Sequence, residues 1–311
     1  MAYDLERIND RARIDPRGFV AECDAKYEKN VCRAAEQIIG NIARSHLVLL
    51  SGPSGSGKTT TAHNIERELE RRGVNTHTIS LDDYYRDVDP LTTPRNAQGE
   101  YDFESPELLD LPLLAEHFRA LDAGEEIVIP HYNFDMRRRD PAGARTLRLS
   151  KNEVAIFEGI HALNSGITGH GSGENAAKVY ISACSNVESA GRTVFKGTWM
   201  RILRRVIRDE RFRSTPAERT FAMWENLRVG EKKYISPYKS RADIVFDSSL
   251  EYEVCALKPF AGGIFDRLPE GMPRMREALE LKEALELFEP IDAAILPRSS
   301  LIREFIGDAG L

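Results

Sequence analysis

The sequence predicts an α/β fold, a mostly parallel sheet with helices on both faces and helical extensions at the two ends. Three observations predict it. Strand-like runs at 46–50, 74–80, 126–130, 153–158, 178–183 and 243–247 alternate with helix-like stretches near 58–72, 111–122, 199–211 and 216–230, and such alternation builds a parallel sheet. The first run, Leu47-Val48-Leu49-Leu50, leads into Gly52-Pro53-Ser54-Gly55-Ser56-Gly57-Lys58-Thr59, a G-x-x-x-x-G-K-[ST] loop opening a helix. Polar signals close several of the runs: this loop, then Asp82-Asp83 after 74–80, then Glu158 after Val154-Ala155-Ile156-Phe157. Ligands of open α/β sheets sit at the carboxyl ends of the strands, so residues distant in sequence are expected to meet there around one nucleotide. Together these features define a P-loop NTPase fold.

Taken in order, residues 17 to about 43 carry Val20, Cys23, Tyr27, Val31, Ala34, Ile38 and Ile42 at spacings of three and four, a helix with one buried face. This is expected to be a helical extension, 1–44, packed on a main domain of 45–268. After the loop, Ala62, Ile65 and Leu69 recur at helical spacing until Gly73, a natural C-terminal stop. The small, polar segment Ser165 to Gly173, which includes His170, reads as an exposed loop without chemistry. A tail, 269–311, holds an amphipathic helix marked by Met275, Leu279, Leu285 and Phe288 and stopped by Pro290, then a short Ser-capped helix, Leu301 to Ile306.

Composition narrows the function classes. With 311 residues, 41% hydrophobic and 30% charged, the chain is ordinary globular material, and no apolar run approaches the roughly 18 residues that span a bilayer. The N-terminus, Met1 to Arg7, lacks a signal peptide's apolar core, so a cytoplasmic protein is expected. Cys23, Cys32, Cys184 and Cys255 show neither C-x-x-C pairing nor zinc spacing and read as buried free thiols. A net charge of −6 argues against broad nucleic-acid binding. Positive charge is nevertheless concentrated between Arg201 and Arg213, where six of thirteen residues are arginine.

Phosphoryl transfer requires a phosphate cradle, a metal, a group to orient or deprotonate the acceptor, and positive charge over the transferring group. The backbone N–H groups of the glycine-rich turn cradle phosphates, Lys58 reaches the β- and γ-phosphates, and Thr59 is placed to ligate Mg²⁺. Asp82 sits where a carboxylate can take an acceptor proton or hold the metal's water shell; the plainer alternative is a solvated acid or helix cap. Glu158 ends the type of run that supplies a second acidic metal-site residue, a place where aspartate is more usual. Among the arginines, Arg201, Arg204 or Arg205, and Arg208 can share a helix face, either as a solvated surface or as a lid that closes over phosphates and excludes water. His161 and Trp224 read as packed or capping residues.

Taken together the motifs resemble the uridine kinase group of P-loop kinases, a family related to phosphoribulokinase and pantothenate kinase. The resemblance runs from about residue 45 to 250. It rests on Gly52 to Thr60, Ser80-Leu81-Asp82-Asp83-Tyr84-Tyr85-Arg86, Tyr101-Asp102-Phe103-Glu104-Ser105-Pro106, Pro130-His131-Tyr132-Asn133-Phe134, Phe157-Glu158-Gly159-Ile160 and Arg204-Arg205-Val206-Ile207-Arg208-Asp209. Pro237-Tyr238 and the Ile302-Arg303-Glu304-Phe305-Ile306-Gly307 tail are similar to a branch of uridine kinase-like nucleoside kinases. The resemblance implies ATP as phosphate donor, bound by Gly52, Pro53, Ser54, Gly55, Ser56, Gly57, Lys58, Thr59 and Thr60, and Mg²⁺ held near Thr59, Asp82 and Glu158. It further implies Asp82 as the base for a nucleoside 5′-hydroxyl, a pocket lined by Tyr85, Phe103 and Tyr132, and lid and acceptor-site arginines Arg205, Arg208, Arg211 and Arg213. Two positions depart from the family pattern: Glu104 stands for the aspartate on the ribose hydroxyls, with Asp102 as the alternative, and Arg137 stands for a base-contacting histidine.

The leading expectation is a kinase for a small-molecule nucleoside, uridine or cytidine, with neither nucleic acid nor membrane as partner and with a homo-oligomer left open. Two rivals remain: a kinase of another small alcohol, such as a sugar phosphate or a pantothenate-like acceptor, and a non-catalytic nucleotide switch. Against the switch, no N-K-x-D tetrapeptide occurs, and the lone D-x-x-G match, Asp140-Pro141-Ala142-Gly143, lies in a basic loop.

Overall fold

The computed structural model describes residues 2–95, 99–169 and 171–307. Five of the strand candidates form one sheet in the order Ile244–Asp247, Ala177–Ser182, Leu47–Ser51, Glu153–Glu158, Asn75–Ser80. All neighbours are parallel. The P-loop strand is central and buried at every residue: Leu47 to Leu50 are an unbroken apolar run, and the Ser51 hydroxyl is satisfied by donating to the Ile160 carbonyl (2.8 Å). Its side chains alternate between two cores. Val48 and Leu50 join the core with Ile65 of the P-loop helix, whereas Leu47 and Leu49 join the other, with Phe118 of the helix Leu111–Asp122.

Register decides which residues meet. Leu50, just before the glycines, pairs with Glu158, and Glu158 pairs with Ser80, just before Asp82. One carboxylate therefore stands between two loops that are far apart in sequence.

The expectation of a sheet strand at 126–130 is corrected. Ile127–Ile129 pairs antiparallel with Arg145–Leu147 in a separate ribbon. Val128 is 57% exposed between buried Ile127 and Ile129, the alternation of a strand with one wet face, and such a strand has no place among strands covered on both sides.

The terminal segments do not form a core of their own. The helix Pro16–Asn41, started by Pro at its first turn and by Asp15 accepting from the Gly18 amide (2.9 Å), buries Phe19, Tyr27, Val31 and Ile38 in the apolar core that holds Ile65 of the P-loop helix. Leu281 and Leu285 of the tail helix Met275–Glu286 and Leu301, Ile302 and Phe305 belong to that core as well. The boundaries expected near 44 and 268 are thus not boundaries of the apolar core. Of the expected stripe, Leu285 and Phe288 are buried and Met275 packs against the core, whereas Leu279 is 48% exposed and Ala278 and Leu281 are buried instead. The last helix is a single turn, Arg303–Ile306, with the Ser300 hydroxyl accepting from the Ile302 amide (3.3 Å).

Several of the described elements lack a sequence signal. Leu5–Ile14 is a helix, and Ala2–Asp4 adds a parallel strand to the hairpin Asn186–Ser189 and Arg192–Phe195. Glu253–Phe265 is a helix although it contains Pro259, Gly262 and Gly263; burial of Val254, Ala256, Leu257 and Ala261 outweighs the poor local propensity. In the expected loop, Ser165–Thr168 is a helical turn capped by Asn164, with Ile167 and Thr168 buried; His170 lies outside the described residues. All four cysteines are free, Cys23 and Cys255 buried as expected, Cys32 half-buried and Cys184 exposed. Among the described residues no helix is long and apolar enough to cross a membrane.

Candidate active site

The glycine-rich turn is pinned from beneath. Gly55 and Gly57 take the left-handed conformation (φ +73° and +74°), and a Cβ on Gly55 would fall 2.5 Å from the Arg201 carbonyl. Arg201 Nε donates to the Ser54 carbonyl (3.0 Å) and Arg204 Nη1 to the Gly55 carbonyl (3.3 Å). Ser248 Oγ donates to the Ser56 carbonyl (2.5 Å). Both arginines are buried and matched by acids, Arg201 by Glu231 in a two-pronged pair (2.8 Å each) and Arg204 by Glu253. With three of its carbonyls held on this side, the loop leads directly into the helix Lys58–Arg71, whose start has no side-chain cap from Gly57, the combination that makes an anion cradle in a loop of this sequence.

At the mouth of that cradle Lys58 Nζ donates to Glu158, whose second oxygen accepts from Ser80 Oγ (3.3 Å). The Ser80 hydroxyl also accepts from the Asp82 amide (3.3 Å), so the short turn Leu81–Tyr84 starts with a fixed geometry. Burial, and next the negative charge of Glu158, push the Asp82 carboxyl up to about 6, against the opposing pull of Lys58. Asp83 has a different environment: its Oδ1 pairs with His131 Nδ1 (3.1 Å) and accepts from the Tyr132 amide (3.3 Å), tying two walls of a cleft.

The donor set fits Mg²⁺. Asp82 and Glu158 are two neighbouring carboxylates facing one lysine, with the exposed Thr59 at the cradle. Among the described residues no group of three or more His, Cys, Asp or Glu could hold a metal alone. That combination matches a hard cation bound through one or two carboxylates and substrate phosphates rather than in an all-protein cage.

A cleft of about 290 Å³ opens from Asp82 between Tyr85, Phe103, Tyr132, Phe134 and Arg137. Tyr85, Tyr132 and Phe134 pack edge to face, with centroids 5.1–6.1 Å apart. Arg137 reaches over Phe103 (6.0 Å to the centroid) and has φ +51°, a backbone conformation that a non-glycine residue holds only where its surroundings impose it. Glu104 feels Asp82 electrostatically, and its carboxyl is pushed up to about 7, foremost by burial, with Arg205 opposing. Gly230 lets the Glu104 stem approach the helix Ala217–Tyr234, since a Cβ there would meet the Glu104 Cβ at 2.9 Å. Asp102 is occupied as a brace, accepting from the Tyr234 hydroxyl (2.9 Å) and the Glu104 amide (3.2 Å). A larger concavity of about 1120 Å³ lies between the helix Pro16–Asn41 and the edge strand Ile244–Asp247 and contains none of the candidate residues.

The arginine run divides. The helix Gly197–Phe212 buries Met200, Ile202, Leu203, Val206 and Ile207, so its apolar face is part of the core and its arginines project from a helix that is packed along its length. Arg201 and Arg204 support the loop from below. Arg205 contacts Ser54 Oγ and pairs with Asp209 (3.1 Å), and Arg208 pairs with the same carboxylate (3.0 Å). Arg213 approaches Asp209 at 3.8 Å. Arg211 turns away, stacking over Phe212 and Phe260 (5.5 and 5.0 Å). Sequence reasoning gave no role to Asp209, Glu231, Glu253 or Glu304. Asp209, an acid within the arginine run, and Glu304, in the tail motif, stood in stretches already singled out, but Glu231 and Glu253 acquire partners only in three dimensions. Trp224 packs under Arg201 (5.5 Å), and His161 is buried against Tyr234, its ring pushed down to about 4 by burial.

A phosphate cradle, a buried carboxylate beside it and an aromatic cleft opening from that carboxylate define a P-loop phosphotransferase acting on an alcohol. Residues 47–254 match the model of the phosphoribulokinase / uridine kinase family, and the chain belongs to that family. Membership implies ATP use. The chain is 28% identical over 205 residues to a uridine kinase of Staphylococcus haemolyticus, covering 66% of this chain and 88% of that one. It is likewise 28% identical over 203 residues to a uridine kinase of Deinococcus deserti, covering 65% and 87%. The crystal structure of a Silicibacter sp. TM1040 protein, described as a kinase of a fructose transport system, superposes with a TM-score of 0.50 at 16% identity, covering 70% of this chain and 98% of that one, a likeness of fold alone.

Proposed function

We propose that the protein phosphorylates the 5′-hydroxyl of a pyrimidine ribonucleoside with ATP and Mg²⁺, as a cytoplasmic enzyme of pyrimidine salvage whose catalytic region is 45–268. One observation carries the reading: the buried Asp82 carboxyl lies at the junction of the phosphate cradle and the aromatic cleft. An acceptor held in that cleft presents its hydroxyl between Asp82 and the γ-phosphate. Asp82 takes the hydroxyl proton as the oxygen attacks the γ-phosphorus, the bond to the β-bridging oxygen breaks, and ADP leaves. Lys58, released from Glu158, follows the β- and γ-oxygens, while Arg205 and Arg208, aimed by Asp209, face the transferring group. Thr59, Asp82 and Glu158 would hold Mg²⁺, which supplies charge neutralisation at the phosphate oxygens. Tyr85, Phe103 and Tyr132 sandwich the nucleoside, Glu104 accepts from ribose hydroxyls, and Arg137 donates to a carbonyl of the base.

An acceptor panel at fixed ATP and Mg²⁺ tests this. ADP release is expected with uridine and cytidine and not with a sugar phosphate or pantothenate. Turnover confined to the latter acceptors would make the protein a different small-alcohol kinase, and ATP hydrolysis indifferent to any acceptor would support a switch.

A further inference from the structure

The tail ends against the P-loop helix. Leu301 lies where a Cβ on Gly57 would meet it at 2.7 Å, the Phe305 ring lies 5.1 Å from the Arg204 guanidinium, and Gly307 abuts the Phe212 ring. These contacts aim Glu304 at the first turn of the helix Lys58–Arg71. One oxygen, Oε2, accepts from both the Thr60 hydroxyl (2.6 Å) and the Thr60 amide (3.3 Å). The other, Oε1, faces Arg208 Nη1 at 4.0 Å, and the Glu304 and Arg208 side chains are only 12% and 11% exposed.

The Thr60 amide is one of the helix's first N–H groups, which have no partner within the helix and point toward anions. In a P-loop those amides are phosphate donors. An oxygen that accepts both donors of Thr60, with an arginine behind it, makes the contacts that a nucleotide phosphate oxygen would make there. Two anions cannot share them, because like charges at such a distance repel strongly away from bulk water.

We propose that Glu304 is a residue of the nucleotide site that competes with nucleotide phosphate for Thr60 and Arg208, so that the turn Arg303–Ile306 releases Thr60 when nucleotide binds. The proposal rests on reading the P-loop as the nucleotide site. It makes the tail, otherwise remote from the chemistry, a determinant of nucleotide affinity.

The test titrates the full-length protein with ATP and with ADP, in the presence of Mg²⁺ and without acceptor, for wild type, Glu304→Gln and Lys58→Ala. Glu304→Gln keeps the shape and removes the charge, and it is expected to bind nucleotide about two- to fivefold more tightly, the typical range of one charge at a helix N-terminus. In wild type, ADP is expected to accelerate hydrogen exchange at the amides of 303–306; that measurement decides alone if Glu304→Gln does not fold. Unchanged or weaker binding by Glu304→Gln, or slower exchange in the tail with ADP, would show that Glu304 is a fixed support and overturn the proposal. If Lys58→Ala binds nucleotide as wild type does, the nucleotide-site reading itself has failed, and the proposal falls with it.

Discussion

Arg204 and Glu253 meet with neither side chain exposed to solvent, and the pair lies directly beneath the P-loop. Arg204 also donates to the Ser248 carbonyl (2.9 Å), so its guanidinium joins two helices, a loop and the phosphate cradle. Removing one member of a buried ion pair strands the other charge at a cost of about 3–5 kcal/mol. Glu253→Gln is therefore expected to lose about that much stability in urea unfolding. The double replacement Arg204→Met with Glu253→Leu should be less destabilised than the single one, because no charge is left buried. Equal stability of Glu253→Gln and wild type would mean that the pair is solvated.

Asp82 and Asp83 are adjacent in sequence and have different surroundings. Asp82 faces Glu158 and Lys58, whereas Asp83 holds His131 and Tyr132. Asp82→Asn should lower kcat by about 10²- to 10⁴-fold, the usual contribution of a positioned base, with ATP binding largely kept. Asp83→Asn should act mainly on the acceptor KM through the cleft wall. Steady-state kinetics of the two variants check this, and the reverse ranking in kcat would exchange the assignments.

If Glu104 meets the acceptor as proposed, acceptor binding should depend on pH. Its carboxyl is raised from 4.5 to about 7, so between those values the folded protein holds a proton that the unfolded chain has lost. Stability contributed by that proton is present at low pH and is lost as pH rises through about 7; above it, Glu104→Gln should be more stable than wild type. The ionised form is the better acceptor for ribose hydroxyls, so KM for uridine should fall as pH rises through about 7 and stay flat in Glu104→Gln. Ribonucleosides should outcompete their 2′-deoxy forms, because a polar site left without its hydroxyl partner is penalised, and Glu104→Gln should narrow that gap. A wild-type enzyme indifferent to the 2′-hydroxyl would remove Glu104 from the ribose site.

Arg208 and Arg211 are a matched pair for testing the arginine run. Arg208 shares Asp209 with Arg205, whereas Arg211 stacks on Phe212 and Phe260. Arg208→Lys keeps the charge and loses the planar fork, so kcat should fall by tenfold or more, out of the roughly 10³- to 10⁵-fold that arginine stabilisation contributes in such enzymes. Arg211→Lys should leave kcat unchanged. Single-turnover rates distinguish the two outcomes, and a fully active Arg208→Lys would place that residue outside the reaction.

By itself the sequence determined the features that local chemistry enforces. An apolar run followed by glycines at fixed spacing makes a strand, a phosphate-binding turn and a helix start, since few residue types tolerate φ near +73° at Gly55 or the approach of the Arg201 backbone there. The order of strands and helices was enough for a parallel sheet, and Asp82 and Glu158 were legible because they end strands. Tertiary structure alone decided which faces those residues show one another. Register set Glu158 between Leu50 and Ser80. Burial drew Arg201 and Arg204 under the loop, although in sequence they are indistinguishable from Arg205 and Arg208: all lie on one helix, and what separates them is whether a neighbouring element supplies a carboxylate in the interior. Glu231, Glu253 and Glu304 look like ordinary solvated acids in the chain. Each acquires its partners only where packing removes water and brings them close, Arg201 and Arg228 to Glu231, Arg204 to Glu253, Thr60 and Arg208 to Glu304, because an ion-pair or hydrogen-bond partner is a property of distance in space, which a linear pattern does not encode.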